Sequence, residues 1–286
     1  VNPIKESFGH KANFKMVLLA LFGAVMGQGV IWYTGQFYAQ SFLENTVKIE
    51  FMQNREILLW GIALATPFFV VFGWLSDKVG RKWIMLTGML LGVIFYRPIF
   101  GTMLKDADAN KWKTESAILI SEPNIKRDTI KNSNQELWTS TSNFKLADGT
   151  EFIAVKTDTI LTEINKVQTV EGATTYKDKK LSPVLKWKFI FLIWIMIIFV
   201  TMVYGPVAAF LVELFPTKIR YTSMSLPYHI GNGVFGGLVP FIATLLAATF
   251  TADPLVGLWY PIAVAALCFI IGLFYLSNKI DTNVND

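Results

Sequence analysis

The chain has 286 residues, 53% of them hydrophobic and 16% charged, with a formal net charge of +5. Soluble domains carry about 25% charged residues, so this composition argues against a soluble enzyme, and the small positive excess reads as membrane-flanking lysines rather than a nucleic-acid footprint. The single cysteine, Cys268, excludes a disulfide framework within the chain.

The sequence opens on Val1, with no signal-peptide pattern before its first apolar run. It is therefore expected to start partway through a longer protein. Six stretches are long and apolar enough to cross a bilayer, at about 16–42, 57–75, 83–104, 188–212, 222–249 and 255–276. Residues 1–15 precede them, 105–187 form a polar insertion, and 277–286 are a tail. The predicted fold class is thus an all-α membrane protein of six transmembrane helices with a small β-rich insertion.

In the first span Gln28, Trp32 and Gln36 recur every four residues and share a helix face, with Tyr33 beside it. Amides left in hydrocarbon are costly, so this face should look into the bundle or a wet cavity. The other reading is interhelical hydrogen bonding for the amides and core packing for the rings. Gly23 and Gly27 offer a small surface for close helix packing.

The second and third spans are joined by Gly73-Trp-Leu-Ser-Asp77-Lys-Val-Gly80-Arg81-Lys82, a short turn dense in charge. Arg97 is the only charged residue well inside a span. It either attracts an anionic solute or snorkels to the outer surface. The insertion balances its charges and alternates apolar and polar residues around Asp148-Gly149, with Phe144/Leu146 and Phe152/Ala154 on the flanks. This predicts a hairpin in a β-rich module, the alternative being a disordered loop.

In the fourth span Tyr204 precedes Gly205-Pro206, a flexible point, and Glu213 and Arg220 follow in "ELFPTKIR". The fifth span carries His229 and Asn232 among Pro227, Gly231, Gly233, Gly236, Gly237 and Pro240, so it can bend. His229 can titrate near neutral pH, but a lone membrane histidine also serves by one hydrogen bond between helices.

Lysine and arginine cluster before the first span, between spans two and three, between four and five and after the sixth. This bias predicts both termini of the segment in the cytoplasm, a location in the cell or inner membrane, and an insertion facing outward.

The decapeptide, and the Glu213-x6-Arg220 pattern after the fourth span, resemble the signature loops of the major facilitator superfamily, the second being sugar-porter-like. "GQGVIWYTGQFYAQSFL" and "VYGPVAAFLVELFPTKIRYTSMSLPYHIGNGVFGG" are similar to the metabolite–proton symporter family within it. The resemblance implies the C-terminal half of a twelve-helix transporter, with a six-helix N-terminal half as its missing partner. It further implies alternating access, a small polar solute such as a carboxylate or zwitterion, and proton coupling through an acid in the missing half. Gln28, Trp32, Tyr33, Gln36, Arg97, Tyr204, His229 and Asn232 would then line the substrate cavity. Gly73, Asp77, Gly80, Arg81, Lys82, Glu213 and Arg220 would form a cytoplasmic gate, or else a simple topological anchor. Gly73 would permit close approach of a neighbour, and Asp77 would face the start of the fifth span, where unpaired N–H groups favour an anion.

No cysteine pair, His/Glu metal spacing or phosphate-cradling loop is present, so neither catalysis, cofactor nor metal is expected. Two rival readings stay open. One is a six-span receptor or assembly protein whose outward module binds a partner, and the other is a homodimeric carrier in which this half is the whole protein.

Overall fold

A computed structural model describes residues 3–114, 117–129, 135–163 and 166–277. Among the described residues six helices are long and apolar enough to cross a membrane: Lys11–Asn45, Phe51–Val79, Arg81–Thr114, Pro183–Leu214, Arg220–Thr249 and Val256–Tyr275. Most run past the apolar stretches read from the sequence, because polar residues at the ends complete helical turns without adding to the apolar signal. The chain divides into two compact units, Val1–Ser41, Leu58–Thr102 and Ile190–Asp286 in one, Phe42–Ile57 and Met103–Phe189 in the other.

In the helical unit the spans are broken at defined points. The first contains π-helical turns at Leu21–Val25 and Thr34–Tyr38, either side of a regular stretch at Met26–Tyr33. The fifth contains another at Ile230–Gly236, one residue after Pro227-Tyr228-His229, and resumes as Val239–Thr249 with Pro240 in its first turn. The fourth stops at Tyr204 and restarts at Val207, across Gly205-Pro206. Ahead of the first span a short helix forms at Pro3–Gly9. Its Ser7 is buried and accepts a hydrogen bond from the buried hydroxyl of Ser223 at 2.8 Å.

Glycines set how closely the helices meet. Gly23 and Gly27 face the sixth span; a Cβ on Gly27 would sit 2.7 Å from the Cys268 sulfur, and 2.8 Å from that of Met89 in the third span. On another face, a Cβ on Gly29 would collide with the Gly231 carbonyl oxygen, and one on Gly231 would lie 2.6 Å from a Val25 methyl. The first and fifth spans therefore cross backbone to backbone.

The second unit is a six-stranded antiparallel sheet with helix ends packed on it. Its centre is a long hairpin, β3 (Gln135–Lys145) and β4 (Glu151–Glu163). The turn lies at the expected Asp148-Gly149: Gly149 adopts φ +90, its N–H donates to Leu146 O at 3.0 Å, and Thr150 N donates to the Asp148 carboxylate at 2.9 Å. Phe144 and Phe152 are register partners, with rings stacked 5.3 Å apart. β1 (Ile118–Leu119) and β2 (Asn124–Thr129) extend the sheet beyond β3. β5 (Lys166–Val170) and β6 (Thr174–Lys180) share the far edge of β4. This is the β-rich module expected from the alternation, although the segment opens with a helix, Ala109–Thr114.

The core of this unit is aromatic. Phe152 packs against Trp112 and Tyr176 at 5.8 and 5.7 Å. Lys179 is buried beside it, its Nζ donating to Ala107 O at 2.6 Å, and desolvation pushes its pKa down to about 8. Residues 46–50 join the sheet-bearing unit: Lys179 N donates to Lys48 O and Glu50 N to Lys179 O, at 2.9 and 2.8 Å. The Glu50 carboxylate accepts from Met52 N and Gln53 N, capping the second span. Gln53 pairs its amide with both backbone groups of Leu181, at 2.7 and 3.0 Å.

Candidate functional site

The first span delivers Gln28 to the interior of the helical unit. Gln28 is fully buried, and neither amide atom has a hydrogen-bond partner among the described residues. A buried amide without partners costs about 1–3 kcal/mol. It stands between the two π-helical turns and next to Gly29, where the fifth span crosses. Turns of this kind are frequent at functional sites because they re-aim side chains within a helix.

One turn on, Trp32 meets rings from two other spans. Its ring lies 4.6 Å from Tyr204 of the fourth span and 6.5 Å from Phe69 of the second, and Phe69 meets Tyr204 edge-on at 6.1 Å. The Tyr204 hydroxyl shares a 2.7 Å hydrogen bond with that of Tyr228 in the fifth span. Four spans thus converge on one aromatic cluster. The second and fourth spans reach it because Gly73 and Gly205 let them touch: a Cβ on Gly205 would lie 3.0 Å from Phe69 O and 3.3 Å from Gly73 N.

The other expected cavity residues are placed as follows. Tyr33 stacks on Phe37 at 5.1 Å and packs on Gly236, so it belongs to the crossing with the fifth span. Gln36 is half-buried one turn beyond Trp32. Asn232 donates to Tyr228 O at 3.0 Å. His229 is exposed, with Nδ1 2.7 Å from Ser225 O. That contact to a carbonyl needs a proton on Nδ1. Ser225, His229 and Gly233 are all exposed at four-residue spacing on a membrane-length helix.

Arg97 lies apart from this cluster. It donates to Asp253 at 3.0 Å and to Leu255 O at 3.2 Å, and its guanidinium sits 4.8 Å from the centroid of the Trp259 ring. Asp253 also accepts from Leu255 N, and that bond, with Arg97, holds its carboxyl below the usual range. These contacts tie the third span to the connection between the fifth and sixth.

At the opposite end of the third span, Arg81 grips Glu213 with two parallel hydrogen bonds, Nε and Nη2 donating at 2.7 and 2.6 Å. Its third nitrogen pairs with Asp77 at 2.7 Å and donates to the buried Ser76 hydroxyl at 3.2 Å. Gly80, at φ +105, ends the second span and lets the chain reverse between Asp77 and Arg81. Two expectations change here. The partner of Asp77 is Arg81 rather than the start of the fifth span. Arg220 makes no ion pair among the described residues, its Nε donating to Phe215 O at 3.2 Å while Nη2 is buried without a partner. Lys82 has a separate task, its Nζ donating to Leu273 O and Leu276 O at 2.8 and 2.7 Å and so capping the sixth span.

Sequence reading missed Phe69, Tyr228 and Asp253. Phe69 stands one turn before Gly73 and Tyr228 one turn before Asn232, so the four-residue spacing that singled out Gln28 and Trp32 was available for both.

No family model matches the chain, and no solved structure matches it. Short stretches are similar to known transport proteins. One is 39% identical over 79 residues to a Haemophilus influenzae protein provisionally named a metabolite transport protein, covering 27% of this chain and 17% of the relative. Another is 36% identical over 61 residues to a Staphylococcus aureus protein provisionally named a proline/betaine transporter, covering 21% and 13%. A third is 38% identical over 47 residues to the inner membrane metabolite transport protein YhjE of Escherichia coli, covering 16% and 11%. In each case less than a fifth of the relative's own length is spanned. With six helices of membrane-crossing length, these similarities make the chain a multi-pass membrane protein related to transporters.

Proposed function

We propose that the chain is the C-terminal six-helix half of a major facilitator transporter, closest to the metabolite–proton symporters. It moves a small carboxylate or zwitterion by alternating access, coupled to protons through an acid in the other half. The observation that carries this is Gln28. A fully buried amide with both atoms unpaired, at the crossing of two glycine-lined spans, is an expensive arrangement for a purely structural helix. A solute with a carboxylate and an amine would satisfy both atoms.

Two further features support it. Ser225 and His229 expose polar groups on a membrane-length helix, an arrangement better suited to a wet path or the other half than to lipid. The second and fifth spans are the least buried of the six, as expected of helices that meet another domain. At the rim Arg81, Glu213 and Asp77 form the latch that holds one state and separates in the other, with both termini cytoplasmic. The relatives named for metabolites and for proline or betaine set the panel of solutes.

The test is uptake by the full-length protein of labelled carboxylates, amino acids and betaines, with and without a pH gradient. Saturable uptake of one class, raised by an inward proton gradient, is expected. Absence of uptake across the panel would count against the assignment.

A further inference from the structure

Several exposed hydroxyls on the spans are satisfied within their own helix. Thr66, Thr87 and Thr249 each donate to the carbonyl four residues back, at 2.9, 2.8 and 2.8 Å. His229 in the fifth span satisfies only half of its ring that way. Nδ1 lies 2.7 Å from Ser225 O and carries a proton, while Nε2 has no partner among the described residues. A polar nitrogen left in hydrocarbon is costly, and an ionisable group inside a span marks a proton or solute path. With Nδ1 committed to Ser225, Nε2 is the nitrogen that gains or loses the second proton.

His229 stands nine residues past Arg220, about 14 Å along a helix axis. It is exposed, whereas Gly231, two residues on, packs on Val25, so the ring is turned away from the first span. The elements packed on this part of the fifth span are Pro3–Gly9, Lys11–Val25 and Val207–Leu214. Their charged groups are Lys5, Glu6, Lys11, Lys15 and Glu213. All lie towards the Arg220 end. Ser7 meets Ser223, six residues before His229, and Lys15 is ten residues, about 15 Å, short of Val25. Glu213 is held by Arg81. Of the tyrosines, Tyr33 packs on Gly236, and Tyr228 touches the His229 ring edge-on while its hydroxyl is bound to that of Tyr204. Among the described residues none of these charges is bonded to His229.

We propose that His229 is the proton-binding residue of this half. Nδ1 stays protonated on Ser225 O, while Nε2 takes a proton from water and returns it to water along a path open from the Arg220 end. The inference rests on the proton-coupled transport proposed above, to which it adds a second titrating group besides the acid of the other half.

The full-length protein, labelled with nitrogen-15 histidine, is reconstituted into lipid bilayers, and its imidazole nitrogens are followed by solid-state NMR from about pH 5 to 8, the range in which histidine changes charge. This segment has two histidines, His10 and His229, and the His229→Gln variant identifies the signal of the second. Nε2 of His229 should titrate within that range, with Nδ1 protonated throughout. In uptake assays the stimulation by an inward proton gradient should fall several-fold in His229→Gln. The melting temperature should not change, because the ring hydrogen-bonds only within its own helix turn. A His229 that holds one proton at both ends of the pH range overturns the proposal and leaves the transport reading standing. So does a titrating His229 whose Gln variant keeps the full stimulation, and so does a variant that melts earlier, since its loss would then be structural. Wild-type uptake that ignores the gradient overturns the proposal together with proton coupling, and absence of any uptake overturns the transporter reading itself.

Discussion

Three buried polar side chains carry different burdens, and substitutions separate them. Gln28 is unpaired, so Gln28→Leu should leave thermal stability unchanged or raised by about 1 kcal/mol. The same change should sharply raise the KM for uptake. A large loss of stability would show that the amide has a structural partner. Lys82 is the reverse case. Its ammonium holds two terminal carbonyls of the sixth span, so Lys82→Met should cost about 2 kcal/mol, read as a lowered unfolding midpoint in detergent. Lys179 makes its prediction through pH. Burial lowers its pKa to about 8, below the value of a solvated lysine. Between pH 8 and about 10.4 the unfolded chain therefore binds more protons than the folded one, and stability rises with pH across that window. Below pH 8 the cost of burying the charge is fully present. Lys179→Met should flatten this dependence in a melting series from pH 7 to 10, and an unchanged slope would place its origin elsewhere.

At the scale of elements, the apolar runs and their charged flanks made the six spans legible, and the Asp148-Gly149 alternation made the central hairpin legible. Both signals are local, which is why they survive in one sequence. The breaks within the helices are not local. Pro227 and Gly205-Pro206 mark two of them, but nothing in Leu21–Val25 announces a π-helical turn, because that turn is imposed by packing against other spans. The glycines were legible as small residues but not as to partner: Gly27 packs on Cys268, while Gly29, two residues on, packs on Gly231. The rim charges were legible as a cluster, but not that it is Arg81 that binds Glu213 and Asp77 together. The crossing itself is testable. Gly231→Ala would place a methyl 2.6–2.9 Å from Val25. Overpacking of this kind typically costs 1–3 kcal/mol, so the variant should melt earlier and transport more slowly. Gly233→Ala, where nothing lies within 4 Å, is the matched control for stability and should melt like the wild type.

For the molecule as a whole, the proposed orientation follows from the lysine and arginine bias, which would put the rim charges in the cytoplasm and the insertion outside. A cysteine placed at Lys78 should therefore resist membrane-impermeant reagents on intact cells, while one placed at Val167 should react. Deleting residues 108–184 should leave much of the uptake intact, because the aromatic cluster, Gln28 and the latch all lie outside that segment. A receptor would instead lose its activity with the module. The most direct test is solute uptake by the full-length protein in proteoliposomes, wild type against Gln28→Leu at equal amounts of folded protein. We expect saturable uptake of a carboxylate or zwitterion by the wild type, and loss of apparent affinity in the variant without loss of fold. Identical uptake by the two proteins would contradict the placement of the solute at the crossing of the first and fifth spans.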